Sequence, residues 1–352
     1  MNSFAPGYFD HFLPPHGLVR TIRLVGEYHG KEDLFRRQSP QALETLRQAA
    51  VIQSTESSNR IEGVTAPRER IELLVLKKAR PRDRSEQEIA GYRDVLTTIH
   101  SNHGHMPFTV GLVQQLHRDL FKFTPDPGGQ WKSVNNEIAE NRPDGTRAVR
   151  FKPVEAHLTE DAMRTLHERF RAAWDAREVD PLLLIPAYVL DFLCIHPFRD
   201  GNGRMGRLLS LLLLYQAGYE LGRYVSLELI VEETKDGYYD TLRRSSEGWH
   251  EGQHSLLPWT DYFLGVMLLR GYREFERRAG VLTSARGAKT AMILEAVEHM
   301  PESFGIADLE RVCPNVTRDM LRVVLNRLKK EKRLRCEGRG PMAVWRKTVN
   351  TS

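Results

Sequence analysis

The chain has 352 residues, 41% hydrophobic and 28% charged, which leaves room for two or three domains with a buried core and excludes global disorder. Its three cysteines, Cys194, Cys313 and Cys336, are scattered and odd in number; no disulfide framework or Cys/His zinc spacing results, and a reducing cytoplasm is expected. Net charge is +5, but residues 285–352 alone carry 14 Lys+Arg against 8 Asp+Glu, so an anionic partner is to be sought in the last fifth of the chain.

Along the chain the pattern is overwhelmingly helical. The first residues show no basic segment followed by an apolar one, so no signal peptide is expected. Residues 40–62 carry Leu43, Leu46, Ala50 and Ile61 at helical spacing, with Gly63 as a stop. Pro67 suits the start of a helix over 68–78, and 85–101 and 109–122 read as amphipathic helices. Residues 128–153 break the pattern: the alternating run Ala148–Phe151 and the Asp144-Gly145 pair predict a β-hairpin with its turn at that pair. Helices resume at 158–176 and 181–195, then at 204–217, 228–246 and 257–278. The most apolar stretches, Pro181–Ile195 and Leu208–Leu214, fall short of the roughly 20 residues a membrane span needs and read as buried helices. A linker at 283–287 precedes a small C-terminal unit.

The stretch from His196 to Arg207 carries the chemistry. Pro197 ends the apolar helix before it. Gly201, Asn202 and Gly203 can present consecutive N–H groups to an anion, and the following helix adds the positive end of its dipole. Arg204 and Arg207, three apart, suit two cations flanking one phosphate chain. Asp200 is a hard oxygen ligand suited to Mg²⁺ carried by phosphates, and His196 is the nearby side chain able to accept a proton near neutral pH. Base, metal ligand, phosphate nest and arginine clamp within twelve residues describe nucleotidyl transfer. No P-loop is present, because Gly128–Ser133 lacks the glycine before Lys132, and no GxGxxG follows a strand pattern.

This segment resembles the Fic family, whose signature HPFx[D/E]GNGRxxR it matches at every specified position. The resemblance implies an all-α core with a β-hairpin flap. It implies that His196 is the base for a target hydroxyl, that Phe198 anchors the loop, and that Asp200 holds Mg²⁺. Gly201, Asn202, Gly203, Arg204, Gly206 and Arg207 would contact ATP. The activity implied is protein AMP transfer, with self-modification, onto a Ser, Thr or Tyr side chain.

Ser58-Asn59-Arg60-Ile61-Glu62-Gly63 matches the family's inhibitory-helix pattern, [S/T]xxxE[G/N], in an N-terminal position. Ser58 and Glu62 share a helix face, and a carboxylate in a last turn opposes the helix dipole at a cost of roughly 0.3–1 kcal/mol, so an external partner is expected. By resemblance that partner is Arg207, held as a bidentate pair.

The hairpin at 133–152 resembles the Fic flap, which binds a target protein by strand addition. Tyr238 and Tyr239 resemble the aromatic pair beside adenine; on a helix only one is expected to face the base. Residues 288–347 read as a winged helix-turn-helix. In its third helix Met320, Leu321, Val324, Leu325 and Leu328 form the buried stripe, and Arg318, Arg322, Asn326 and Lys329 line the opposite face. That face suits DNA; homodimerisation or target recruitment is a second reading and an inert scaffold a third.

The division expected is an N-terminal helical region with the inhibitory helix (1–105), a catalytic domain (106–280) and a winged helix (285–348). Two further functions share the pattern: a DNA-binding regulator whose Fic core senses nucleotide, and a de-AMPylating enzyme in which Glu62 positions water. The target protein, the residue modified and the oligomeric state are not encoded in these motifs.

Overall fold

The computed structural model describes residues 2–38, 40–141, 147–283, 288–313, 316–338 and 343–348. The expected turn at Asp144-Gly145, most of the linker and the tip of the expected wing lie outside these residues. Helices α1 (Tyr8–His11), α2 (His16–Gln38), α3 (Pro40–Ile61), α4 (Arg68–Lys77), α5 (Arg84–Asn102) and α6 (Val110–Leu120) precede the strands β1 (Ile138–Asn141) and β2 (Arg147–Phe151). Next come α7 (Thr159–Ala176), α8 (Pro181–Ile195), α9 (Asn202–Gln216), α10 (Leu227–Glu233), α11 (Lys235–Ser246) and α12 (Leu257–Asp261). A π-helical stretch, Tyr262–Leu268, leads into α13 (Leu269–Thr283). The C-terminal unit comprises α14 (Ala288–His299), β3 (Ser303–Gly305), α15 (Ile306–Val312), α16 (Arg318–Lys330), β4 (Leu334–Glu337) and β5 (Val344–Lys347).

The fold is mostly helical, with two small antiparallel sheets. Its centre is the pair α8 and α9, packed on each other and on α7 and α5. Both are buried on nearly every side; α8 is apolar almost all round, and α9 carries its buried polar residues, Asn202, Arg204, Arg207 and Ser210, towards its start. Asp180 starts α8 by accepting from the Leu182 N–H at 2.8 Å, with Pro181 in the first turn. At its other end Pro197 cannot continue the helix, and His196 takes a left-handed conformation (φ 51°). The connection to α9 is thus six residues long, and α9 begins inside the glycine motif, at Asn202.

Helix α3 packs along α5 and α10 and delivers its C-terminus to that connection. The expected helix over 228–246 is two helices, α10 and α11, because the chain leaves helical geometry at Thr234 (φ −120°, ψ 31°). The expected helix over 257–278 contains the π-helical stretch, and α2 was not expected at all. The hairpin pairs Ala139 with Val149 and Ile138 with Phe151, so Arg150 is a one-residue bulge on β2. In the C-terminal unit the sheet order is β3-β5-β4, one strand more than expected. Leu321, Val324, Leu325 and Leu328 of α16 are buried, and Arg318, Arg322, Asn326 and Lys329 are exposed. One contiguous set of buried apolar side chains runs from Phe4 to Trp345. No helix among the described residues is long and apolar enough to cross a membrane.

Candidate active site

The connection 196–201, the start of α9, the end of α3, the flap and α11 enclose a cleft of about 770 Å³. Leu190, Leu193, Cys194, Leu242, Ile138 and Phe151 supply its apolar wall. Its polar end is lined by Glu62, His196, Asp200, Gly201, Asn202, Gly203, Arg207 and Lys235. The local order of the sequence brings most of the polar end together; Glu62 and Lys235 arrive through the fold.

His196 is the C-cap of α8. Its Nδ1 lies 3.2 Å from the Leu193 carbonyl oxygen, an acceptor, so Nδ1 carries the proton and Nε2 is the basic nitrogen. The imidazole is held down at about 4, by burial above all and also by the Lys132 and Arg150 cations, while the Leu193 carbonyl and Glu62 act the other way. The ring is therefore neutral at physiological pH.

Gly201 caps α9 with φ 79° and offers no side-chain cap, so the N–H groups of the first turn face the cleft. A Cβ on Gly201 would sit 2.8 Å from the Phe121 ring, which excludes larger residues. The side chain of Asn202 is used within the loop. Its amide is buried; Oδ1 accepts from the Phe198 N–H at 2.9 Å and Nδ2 donates to the Phe198 carbonyl at 2.8 Å. Its side chain closes the loop, and its backbone faces the cleft. Phe198 is fully buried, stacked on His117 at 3.6 Å.

Asp200 keeps 65% of its side-chain surface. Its Oδ1 accepts from the Gly201 N–H at 2.6 Å and Oδ2 stands 3.7 Å from Arg204. The two arginines part company. Arg207 lines the cleft; Arg204 does not. Arg204 is 1% exposed, ion-paired to Glu88 at 2.5 Å and laid over the Phe121 ring. Gly206 likewise faces away, against Leu193, where a Cβ would come within 3.2 Å of a methyl carbon.

Ser58 and Glu62 both reach Arg207, but not as a bidentate carboxylate pair. Arg207 Nη2 donates to Glu62 Oε1 at 2.8 Å and to the Ser58 carbonyl at 2.9 Å, and Nε donates to Ser58 Oγ at 2.9 Å. The rigid guanidinium fork is divided between the two residues. Arg207 Nη1 is buried with no hydrogen-bond partner among the described residues. Burial raises the Glu62 pKa; Arg207 above all, then Arg204 and Lys235, outweigh it and hold the carboxyl below its ordinary value. Lys235 also donates to the Ile61 carbonyl at 2.7 Å, a cation on the negative end of α3.

Tyr238 and Tyr239 both line the cleft. Tyr238 is buried, edge-on to Trp259 and Tyr262, and forms its floor; Tyr239 is half-buried and forms its wall. Arg150, the bulge residue of the flap, donates to the Tyr239 carbonyl at 3.3 Å and ties β2 to α11.

Several residues at the site carry no local sequence signal. His117 accepts from the Gly129 N–H through Nδ1 at 2.8 Å, so its Nε2 donates to the Asp200 carbonyl at 3.0 Å. Glu88, Lys132, Asn136, Arg150 and Lys235 belong to the same group. The nearest signal is the position of Lys132 and Asn136 at the entry to the hairpin.

Residues 107–214 match the Fic/DOC family. The chain is 29% identical over 96 residues to a Fido domain-containing protein of Dictyostelium discoideum, covering 27% of this chain and 63% of that protein. It is 29% identical over 143 residues to the protein adenylyltransferase Fic of Drosophila erecta, covering 40% of this chain and 25% of that one. It thus spans less than two thirds of the length of either relative. Among solved structures, a Fic family protein from Desulfovibrio desulfuricans superposes with a TM-score of 0.60 at 20% identity, over 97% of this chain and all of the other. The glycine-capped α9, the loop that feeds it and the hairpin beside them lie within or next to the matched segment, so the part of the chain that builds the cleft is the part similar to the Fic/DOC family.

Proposed function

We propose that the protein is a Mg²⁺- and ATP-dependent adenylyltransferase that moves AMP onto a Ser, Thr or Tyr side chain of a target protein, itself included, and that Glu62 restrains it. The observation that carries this reading is a neutral imidazole, with its basic nitrogen available, beside an uncapped helix N-terminus and a cation in one cleft.

In the reaction, Nε2 of His196 takes the proton of the target hydroxyl. The hydroxyl oxygen attacks the α-phosphorus of ATP, and pyrophosphate leaves. The N–H groups at the start of α9 and the guanidinium of Arg207 hold the phosphates; the unpartnered Nη1 of Arg207 fits a phosphate oxygen. Tyr238, Tyr239 and the apolar wall suit a purine. Among the described residues no group of three His, Cys, Asp or Glu could hold a metal by itself. An ion carried by the phosphates would meet the exposed carboxylate of Asp200. When bound, the ion neutralises phosphate charge. The flap offers its edge to an extended target segment. Glu62 occupies Arg207 and the space over Gly203, so the phosphate chain has to displace it.

The C-terminal unit, read as a winged helix, has Arg318, Arg322, Asn326 and Lys329 outward, which favours a polyanion such as DNA; affinity falling steeply with salt would support that. The test of the enzyme reading is incubation of wild type and Glu62→Gly with Mg²⁺ and ATP labelled at the α-phosphate. Label in protein is expected. Its absence even in the variant favours a nucleotide-sensing regulator.

A further inference from the structure

We propose that Lys132 and Asn136, at the entry to the flap, are positioning residues that set the His196 imidazole and tie it mechanically to the target-binding hairpin. The proposal rests on the adenylyltransferase reading for the role of His196. The geometry rests on four consecutive carbonyls. Lys132 Nζ donates to the Ile195 carbonyl at 3.0 Å. Asn136 Nδ2 donates to the His196 carbonyl at 3.3 Å and to that of Phe198 at 3.1 Å. The Lys132 backbone N–H donates to the Pro197 carbonyl at 2.9 Å. One five-residue segment thus grips residues 195, 196, 197 and 198. It is braced internally, because Lys132 Nζ also donates to Asn136 Oδ1 at 2.8 Å.

The grip has a physical reason. His196 sits at φ 51°, in the left-handed region, which is strained for a residue with a Cβ. Its conformation is held from outside. The loop carbonyls have left the α8 ladder and need donors, and the clamp supplies them. Lys132 is buried, and burial lowers its amine to about 8. Burying a lysine to grip a carbonyl is costly if structure is its only use; methionine would fill the space. The charge has a second effect, on the imidazole. Asp200, Arg207 and Lys235 share the cleft with His196, and the charged groups that act on it most are Lys132 from the flap entry, Glu62 from the end of α3 and Arg150 from β2. Lys132 and Arg150 favour the neutral ring and Glu62 opposes them. Two residues beyond Asn136 the segment becomes β1, so a target strand pairing with the flap pulls on the same residues that hold the base.

The test uses the full chain carrying Glu62→Gly, alone and with Lys132→Met, Lys132→Arg or Asn136→Ala. Three quantities are read: the titration midpoint of the His196 imidazole by NMR, the Kd of Mg²⁺ with a non-hydrolysable ATP analogue by calorimetry, and the initial rate of label transfer. Lys132→Met is expected to raise the His196 midpoint and to lower transfer about 10–100-fold, with Kd changed less than about twofold, the signature of lost orientation. Lys132→Arg should restore the midpoint, and Asn136→Ala should slow transfer without moving it. An unchanged midpoint and rate in Lys132→Met overturns the proposal, as does a rate loss matched by lost nucleotide affinity. Loss of folded structure by circular dichroism in both Lys132→Met and Asn136→Ala assigns the pair to folding alone and also overturns it. If Glu62→Gly transfers nothing, the enzyme reading fails, and the NMR midpoint still decides whether Lys132 sets the imidazole.

Discussion

Glu62 and Gly203 compete for the same few ångströms: a Cβ built on Gly203 would lie 2.3 Å from the Glu62 oxygen that accepts from Arg207 at 2.8 Å. The carboxylate sits over the first turn of α9, where the N–H groups and the dipole favour negative charge, and it takes one arm of the nearby guanidinium. A phosphate would take its place rather than sit beside it.

Removing the competitor frees the site. A hydrogen bond between charged groups is worth about 1.5–3 kcal/mol, or roughly 10–100-fold in occupancy. Glu62→Gly is therefore expected to raise α-label incorporation by about that factor, and Glu62→Gln, which keeps the size but not the charge, by less. Equal rates for wild type and both variants would dismiss Glu62 as a restraint.

Arg204 and Arg207 are expected to fail differently when replaced. Arg204 is buried against Glu88, and breaking such a pair costs about 3–5 kcal/mol because a buried charge loses its partner. Arg84, which also pairs with Glu88 at 2.7 Å, softens that cost. Arg204→Met should appear as a lower Tm by calorimetry, with Mg²⁺–ATP affinity retained within about tenfold. An unchanged Tm together with a larger loss of affinity would place Arg204 on the phosphates after all.

How much of this was legible follows from distance along the chain. The loop from His196 to Arg207 is local: helix stop, glycine cap and new helix are all written within twelve residues, so its backbone was readable. What each side chain does there was less so, because partners come from afar. Arg204 reads as a phosphate-flanking cation beside Arg207 until Glu88, 116 residues away, turns it inward. The division of Arg207 between Ser58 and Glu62 depends on where α3 ends relative to α9, which no spacing records. Lys132 and Asn136 look like ordinary hairpin polar residues; only the fold brings them to carbonyls about 60 positions on. The break at Thr234 and the π-helical stretch 262–268 are invisible for another reason, since neither holds a proline, the residue that interrupts a helix outright.

Acid stability should reflect the buried histidines. Burial depresses His100 to about 3 and His117, His167 and His196 each to about 4. Below the unfolded value of about 6.5 the unfolded chain binds protons that the native chain refuses, so stability falls as pH drops from there toward 4. The slope is up to about 1.4 kcal/mol per pH unit for each such histidine. Denaturant titrations at pH 7.5, 6.0 and 5.0 are expected to show a falling midpoint, and His117→Asn should flatten the trend. A midpoint that stays level down to pH 5 would mean these rings protonate within the fold.

The rate should behave in the opposite way, insensitive to pH where stability is not. Transfer needs an unprotonated His196, and with the imidazole at about 4 that form is already complete at pH 6. An unperturbed histidine would lose about half its rate near 6.5. In Glu62→Gly the carboxylate that favours the protonated ring is gone, so the midpoint moves further down. Initial transfer rates of that variant are therefore expected to be level between pH 6 and 8 at saturating ATP, measured while the protein remains folded. His196→Ala should cost about 10²–10⁴-fold in rate with Mg²⁺–ATP affinity nearly unchanged, because the phosphate contacts belong to α9 and Arg207. A rate that halves near pH 6.5 would place the imidazole in water instead of against Leu193, and a rate untouched by the alanine would remove it from the chemistry.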